Sequence, residues 1–426
     1  MKIEPFFNRN IIIEKSENIF FEINKPKFEK IVLILDRDYE KSSGYYTILY
    51  TKNEYKLYYR SSPHPHYKDK KNGTTYSTEE LSPHERLCLA SSIDGLNFEK
   101  KVYNIHNYNN SSDNNILIHD WTCHNFYPFY DKKSNKYLAI SGTQFYGEGI
   151  HLFESFDGIT WPAVKKVLNS RHILPGWTHG NHFDSHNCIV YDEKEDYYYI
   201  YLRHNKGSQR FVQYTKTNNF NNFTRCQEIN IINNNNLVLY TPGIFKYESS
   251  DYFLGVPTVN GDSYHDKINS ILMVSNDGVN FTILTKELFN EQNRRMNINS
   301  IVPSPDNTKM YIYSECSLTE DQYVTCHSFE KNRIQKITSN GYGFIKTQLI
   351  KLCNKLTINY DTFEGGYLSI NILNKDNDIV LETANMYKNY FDFEVIWKDN
   401  KILELGEYHI KFNMYNCNLY SISYDY

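Results

Sequence analysis

The chain has 426 residues, 40% of them apolar and 23% charged, with a formal net charge of −4. This describes a globular protein of two domains, or one large domain with an appendage, and the balance of charge speaks against nucleic acid as a partner. No apolar run approaches the roughly 18–20 residues of a membrane span, and the charges interrupting "MKIEPFFNRNIIIEKSENIFFEI" leave no signal-peptide core, so no membrane partner and a cytoplasmic location are expected.

Aromatic residues make up 16% of the chain, and 38 of them are tyrosines, a composition suited to half-buried pleated surfaces. The eight cysteines show no CxxC or zinc-type spacing and read as reduced core thiols. From residue 45 onward the same unit recurs, a strand, a charged turn and a second strand: "YYTILYTKNEYKLYYR" (45–60), "NFYPFYDKKSNKYLAISG" (125–142), "HNCIVYDEKEDYYYIYLR" (186–203), "GIFKYESSDYFLGVPT" (243–258) and "NSIVPSPDNTKMYIYSE" (299–315). A third strand then leads into a short polar turn that is spelled nearly alike in "SSIDGLNF", "SFDGITW" and "SNDGVNF", with a degenerate copy in "TKTNNFNNF". Asp-Gly supplies the positive φ of a tight turn, and the preceding Ser bonds its amides. The closing aromatics, Phe98, Trp161, Phe223 and Phe281, recur at a period of about 60 residues, which marks a repeated β unit. Five such units predict an all-β chain, a five-bladed β-propeller over residues 1–338 with an N-terminal extension. The repeated Asp94, Asp157 and Asp277 read as structural. From about residue 339 the period stops, and short alternating strands predict a C-terminal β-sandwich over 339–426.

A propeller followed directly by a β-sandwich resembles the invertase/levanase group, glycoside hydrolase family 32, and more closely a bacterial set of family 32-like and family 43-like hydrolases. The matching stretches include "DRDYEKSSGYYTILYTKNEYKLYYR", "NNIL", "HNFYPF", "FDSHN", "GYGFIK", "FEGGYLSINI" and "NLYSISY", in that order. The resemblance implies a glycosidase with a carbohydrate substrate and catalytic carboxyl groups at the mouth of the propeller channel. Where invertases carry a blade-one acid, "DRDYE" offers Asp36, Asp38 and Glu40, of which Asp38 reads as solvent-exposed; where they carry a blade-three acid, "FDSHN" offers Asp184, expected to be partly desolvated with a raised pKa. Blade two departs from the pattern, with His124 and Asn125 where invertases have an Arg-Asp pair, so that Glu315 in "YIYSE" becomes a possible source of a missing acid.

The expected catalytic residues are therefore Asp184 with Glu40 or Asp36. Arg60, His124, Asn125, His182, His186, Asn187, Arg203 and Glu315 are the expected substrate contacts. His182, Asp184 and His186 share one face of an extended segment, but polar sugar contacts suit them better than a metal, and neither metal nor cofactor is expected. The rival readings are a non-catalytic glycan-binding propeller and a scaffold for protein partners; paired acids at the channel mouth would separate the enzyme from both.

Overall fold

The computed structural model describes residues 1–63, 85–142, 149–169, 171–172, 183–206, 209–232, 237–260, 269–289, 295–316, 322–398 and 401–425. Two compact units result: Lys27–Lys246 with Tyr252–Ser328, and Met1–Pro26 with Tyr247–Asp251 and Phe329–Tyr426.

The first unit is a five-bladed propeller. Blade one pairs Ser42–Thr51, Glu54–Ser62, Arg86–Ser92 and Ile116–Ile118; blade two, Tyr127–Asp131, Lys136–Ser141, Ile150–Ser155 and Ala163–Leu168; blade three, Cys188–Asp192, Tyr197–Lys206, Gln209–Thr217 and Gln227–Glu228. Blade four holds Ile244–Lys246, Phe253–Gly255, Leu272–Ser275 and Asn280–Thr285, with Asn230–Ile232 added along the last. Blade five joins Arg295–Pro303, Lys309–Cys316 and Tyr323–Glu330 to Lys27–Ile34, so a strand from the start of the unit completes its last blade. The five innermost strands neighbour one another in order, and the fifth neighbours the first, closing the ring. Second strands are covered by a blade on each face and are apolar without alternation: Tyr198 to Leu202 are all buried, as are Tyr55 and Leu57 to Tyr59.

The repeated turns close third strands in blades one, two and four, and each is bonded in the same way. In blade four, Ser275 Oγ accepts from the Gly278 amide at 2.9 Å, and Asp277 Oδ1 accepts from the amides of Val279 and Asn280 at 2.8 Å each. Gly95, Gly158 and Gly278 have φ between 70° and 74°. The carbonyl of each receives a tyrosine hydroxyl from the preceding blade at 2.8 Å: Tyr313 to Gly95, Tyr58 to Gly158 and Tyr201 to Gly278. A Cβ on these glycines would lie 2.6–2.9 Å from the same hydroxyls, so the tyrosine latch and the glycine require each other. Blade three keeps the turn with Asn219 in place of Asp, and Phe220 takes the positive φ. At the latch position of blade two stands Ala139, and the tyrosine and glycine are lost together.

The second unit is an eight-stranded sheet. Its long strands Ile350–Leu373 and Leu403–Asp425 pair twice, Leu356 to Asn359 against Tyr424 to Ser421 and Tyr367 to Leu373 against Tyr415 to His409. Leu356, Ile358, Leu368, Ile370, Phe412 and Met414, from both halves, enter one core. The first residues of the chain, read from the sequence as an extension of the propeller segment, hydrogen-bond here: Lys2–Glu4 pairs with Tyr424 to Ile422, and Ile19–Ile23 with Gln335 to Ser339.

Candidate active site

Neighbouring strands of a blade run in alternate directions. The start of an innermost strand, the end of the second and the start of the third therefore share one end of the blade. That end gathers Tyr45 from the start of blade one's inner strand, Arg60 from the end of its second and Glu85 from just before its third. His124 and Asp184 precede the inner strands of blades two and three, and Arg203 and Glu315 lie toward the ends of the second strands of blades three and five. Arg60, Arg203 and Glu315 each stand two residues beyond a latch tyrosine, in one register of the repeat.

At the centre, His124 bridges two carboxylates. Its Nδ1 is 3.0 Å from Glu85 and its Nε2 is 2.9 Å from Asp184 Oδ1. Burial alone would discharge the ring, but the charge of Glu85 and hydrogen bonds to Asp184 and Glu85 outweigh it and raise the imidazolium to about 9. Both ring nitrogens are then donors. Arg203 Nη1 reaches Asp184 Oδ2 at 3.3 Å, and Arg60 Nη1 lies 3.4 Å from Glu85 Oε1. Asp184 is held well below the usual carboxylate range: burial pushes it up, but the hydrogen bond and charge of His124, then Arg203 and Arg60, prevail. The sequence expectation of a raised pKa is corrected here, because desolvation of Asp184 is accompanied by three cations.

The segment bearing Asp184 is held by amides. Asn125 Nδ2 donates to the carbonyls of Phe183 and Ser185 at 2.6 and 2.9 Å, and Asn187 Nδ2 to Phe183 at 2.8 Å. Asn125 Oδ1 accepts from the Gly142 amide, and Asn187 Oδ1 from that of Arg203. Expected as sugar contacts, these two side chains make their hydrogen bonds to main chain and hold the segment that bears Asp184. They fix Phe183 at φ 65°, and a bulge before Thr47 sets Tyr45 at φ 52°. Positive φ at bulky residues costs about 1–2 kcal/mol each, strain of the kind that collects at functional sites. Tyr45 stacks on the His186 ring at 5.4 Å and meets the His124 ring edge-on. His186, 3.0 Å from Thr47 Oγ1, is kept neutral by burial and the nearby Arg60 charge, down to about 3.

Glu315 is 2% exposed, and neither carboxyl oxygen has a hydrogen-bond partner among the described residues. Burial raises its pKa to about 8 against the opposing charge of Arg60, so it is protonated at neutral pH. Glu40 and Asp36 join a different cluster. Glu40 accepts from the Tyr59 hydroxyl at 2.6 Å and the Arg37 amide at 3.0 Å and pairs with Lys100, which also holds Asp36 at 2.8 Å. The expected pairing of Asp184 with either is not what the chain brings together; Lys100 and Tyr59 already occupy Glu40, and Asp36 is largely exposed. His182 lies outside the described residues. Among those described, no group of three His, Cys, Asp or Glu side chains is arranged for a metal ion.

Sequence reasoning missed Glu85, Tyr45 and Tyr240, the ring over which the Arg203 and Arg210 guanidiniums lie at 5.4 and 4.7 Å. Glu85 had a signal: with Arg86 it is a charged pair opening the apolar run "LCLASS", at the strand end opposite Arg60. Tyr240 had none, since its loop belongs to no repeat.

No family model matches the chain, and no curated protein matches it. Solved structures similar to it include a family 43 arabinoxylan arabinofuranohydrolase from Bacillus subtilis, 11% identical over 91% of this chain and 96% of that one, with a TM-score of 0.45. A Bombyx mori family 32 β-fructofuranosidase is 11% identical over 95% of this chain and 93% of that one, TM-score 0.44. The catalytic domain of a Coprinopsis cinerea family 62 α-L-arabinofuranosidase is 10% identical over 71% and 97%, TM-score 0.45. The match is structural and distant.

Proposed function

We propose that the chain is a glycoside hydrolase whose working carboxyl groups are Asp184 and Glu315. One observation carries the reading: two acids from different blades, both within the field of Arg60, are driven to opposite protonation states, Asp184 ionised and Glu315 neutral. Such separation assigns acid and base roles in glycoside cleavage. Glu315 gives its proton to the leaving oxygen as the anomeric C–O bond breaks. Asp184 takes a proton from the attacking water or attacks the anomeric carbon itself. His124 and Glu85 hold Asp184 charged, and Asn125 and Asn187 hold it in place.

The test is hydrolysis of a panel of aryl glycosides and oligosaccharides by the wild type, Glu315→Gln and Asp184→Asn. Either substitution should lower turnover roughly 10²–10⁴-fold. The wild-type rate should fall as pH rises through about 8, where Glu315 loses its proton. Undiminished turnover in both variants would discard the assignment. A second reading, a glycan-binding propeller without catalysis, is favoured by the engagement of both Asp184 oxygens by His124 and Arg203. Sugar binding with no turnover across the panel would select it.

A further inference from the structure

Arg60 is a guanidinium only 12% exposed, and its ion pair runs through one nitrogen, Nη1, to Glu85. Its plane is steadied by the Tyr45 ring, 4.8 Å from the guanidinium carbon. Nε is buried without a hydrogen-bond partner among the described residues. Beside Nη2 stands Gly44, opposite Arg60 in the strand pair, where a Cβ would come within 3.1 Å of that nitrogen. The Nε–Nη2 side of a guanidinium is the edge that takes a carboxylate through two parallel hydrogen bonds. A buried donor left unsatisfied costs about 1–3 kcal/mol, so Nε, buried without a partner among the described residues, points to an acceptor that arrives with the ligand. Around it, among the described residues, the cations Arg60, His124, Arg203 and Arg210 outnumber the carboxylates Glu85 and Asp184, a balance that suits a further anion.

Resting on the glycosidase reading, we infer that the Nε–Nη2 edge of Arg60 receives a carboxylate of the substrate, so that the sugar held at this mouth is an acidic one of the uronic acid class. A neutral sugar hydroxyl can accept only one of the two bonds and brings no charge to a cationic pocket. A sulfate ester offers the same charge without the planar match.

The experiment is calorimetric titration of the full chain with galacturonate- and glucuronate-containing oligosaccharides, their methyl esters, sulfated oligosaccharides and neutral oligosaccharides, beside turnover on each. The acids should bind at least tenfold more tightly than their methyl esters. Arg60→Gln should erase that preference, Arg60→Lys should keep part of it, and Gly44→Ala should weaken acid binding by crowding Nη2 while leaving the guanidinium present. Equal affinity for acid and ester, or a preference for sulfated chains, overturns the inference. Hydrolysis of neutral glycosides without binding of any acidic one overturns it and leaves the glycosidase reading intact. A wild type that neither binds nor cleaves anything on the panel overturns both.

Discussion

Asp277 and Asp184 are both held below the ordinary carboxylate range, and by different means. At Asp277 burial is overcome by the amides of Val279 and Asn280 and by the side chains of Asn280 and Ser275, all within five residues. Asp94, with the same partners from its own turn, sits at about 2. At Asp184 burial is overcome by His124 and Arg60, from other blades, and by Arg203. The turn aspartates are satisfied locally, so the arrangement can be copied wherever its seven letters are copied. The Asp184 cluster draws its side chains from blades one, two and three, and Arg60, Arg203 and Glu315 occupy one register with different chemistry. Where the repeat is faithful it builds the scaffold; where it breaks, at His124, Asp184 and Glu315, charge accumulates that the fold alone does not require.

Substitution separates the two kinds of carboxyl group. The largest effect is expected at the mouth: Asp184→Asn should cut kcat/KM by roughly 10²–10⁴-fold, while Asp277→Asn should leave it within about twofold. Equal losses would erase the distinction. Glu315 comes next and has the opposite sign in stability. Its folded pKa, about 8, lies above the unfolded value. Its contribution is therefore complete below about 4.5 and is lost as pH rises toward 8. Glu315→Gln should match the wild type in denaturant unfolding at pH 4 and exceed it by roughly 2–4 kcal/mol at pH 8, while turnover falls. A wild-type advantage at pH 8 would contradict a protonated Glu315.

At the turns, Gly278→Ala combines a positive φ with a Cβ only 2.8 Å from the Tyr201 hydroxyl. A loss of about 2–3 kcal/mol in unfolding free energy is expected, without change in kcat. The smallest effect belongs to Tyr201→Phe, which removes only the hydroxyl bond to the Gly278 carbonyl and should cost about 1 kcal/mol. If Tyr201→Phe were as damaging as Gly278→Ala, the latch rather than the backbone conformation would dominate the turn.

The sequence by itself determined the blades. The five hairpins at 45–60, 125–142, 186–203, 243–258 and 299–315 open the five sheets, because alternation, turn chemistry and period are local properties that a strand and its neighbour enforce together. It also pointed to Arg60, His124, Asp184, Arg203 and Glu315, which stand at one end of the blades because strand ends in register lie on one side of a ring. Only the tertiary structure decided which acids meet. Glu40 lies close to Arg60 in sequence, yet its bonds go to Tyr59, Lys100 and the Arg37 amide. Glu85 and Arg86 are an ordinary charged pair opening an apolar strand until His124 arrives from the next blade. Protonation was likewise out of reach: Asp184 and Glu315 are both acids near strand ends, and only the cations packed against one and the absence of hydrogen-bond partners among the described residues at the other send their pKa values apart. Desolvation and charge depend on every neighbour in space, and no stretch of sequence contains them all.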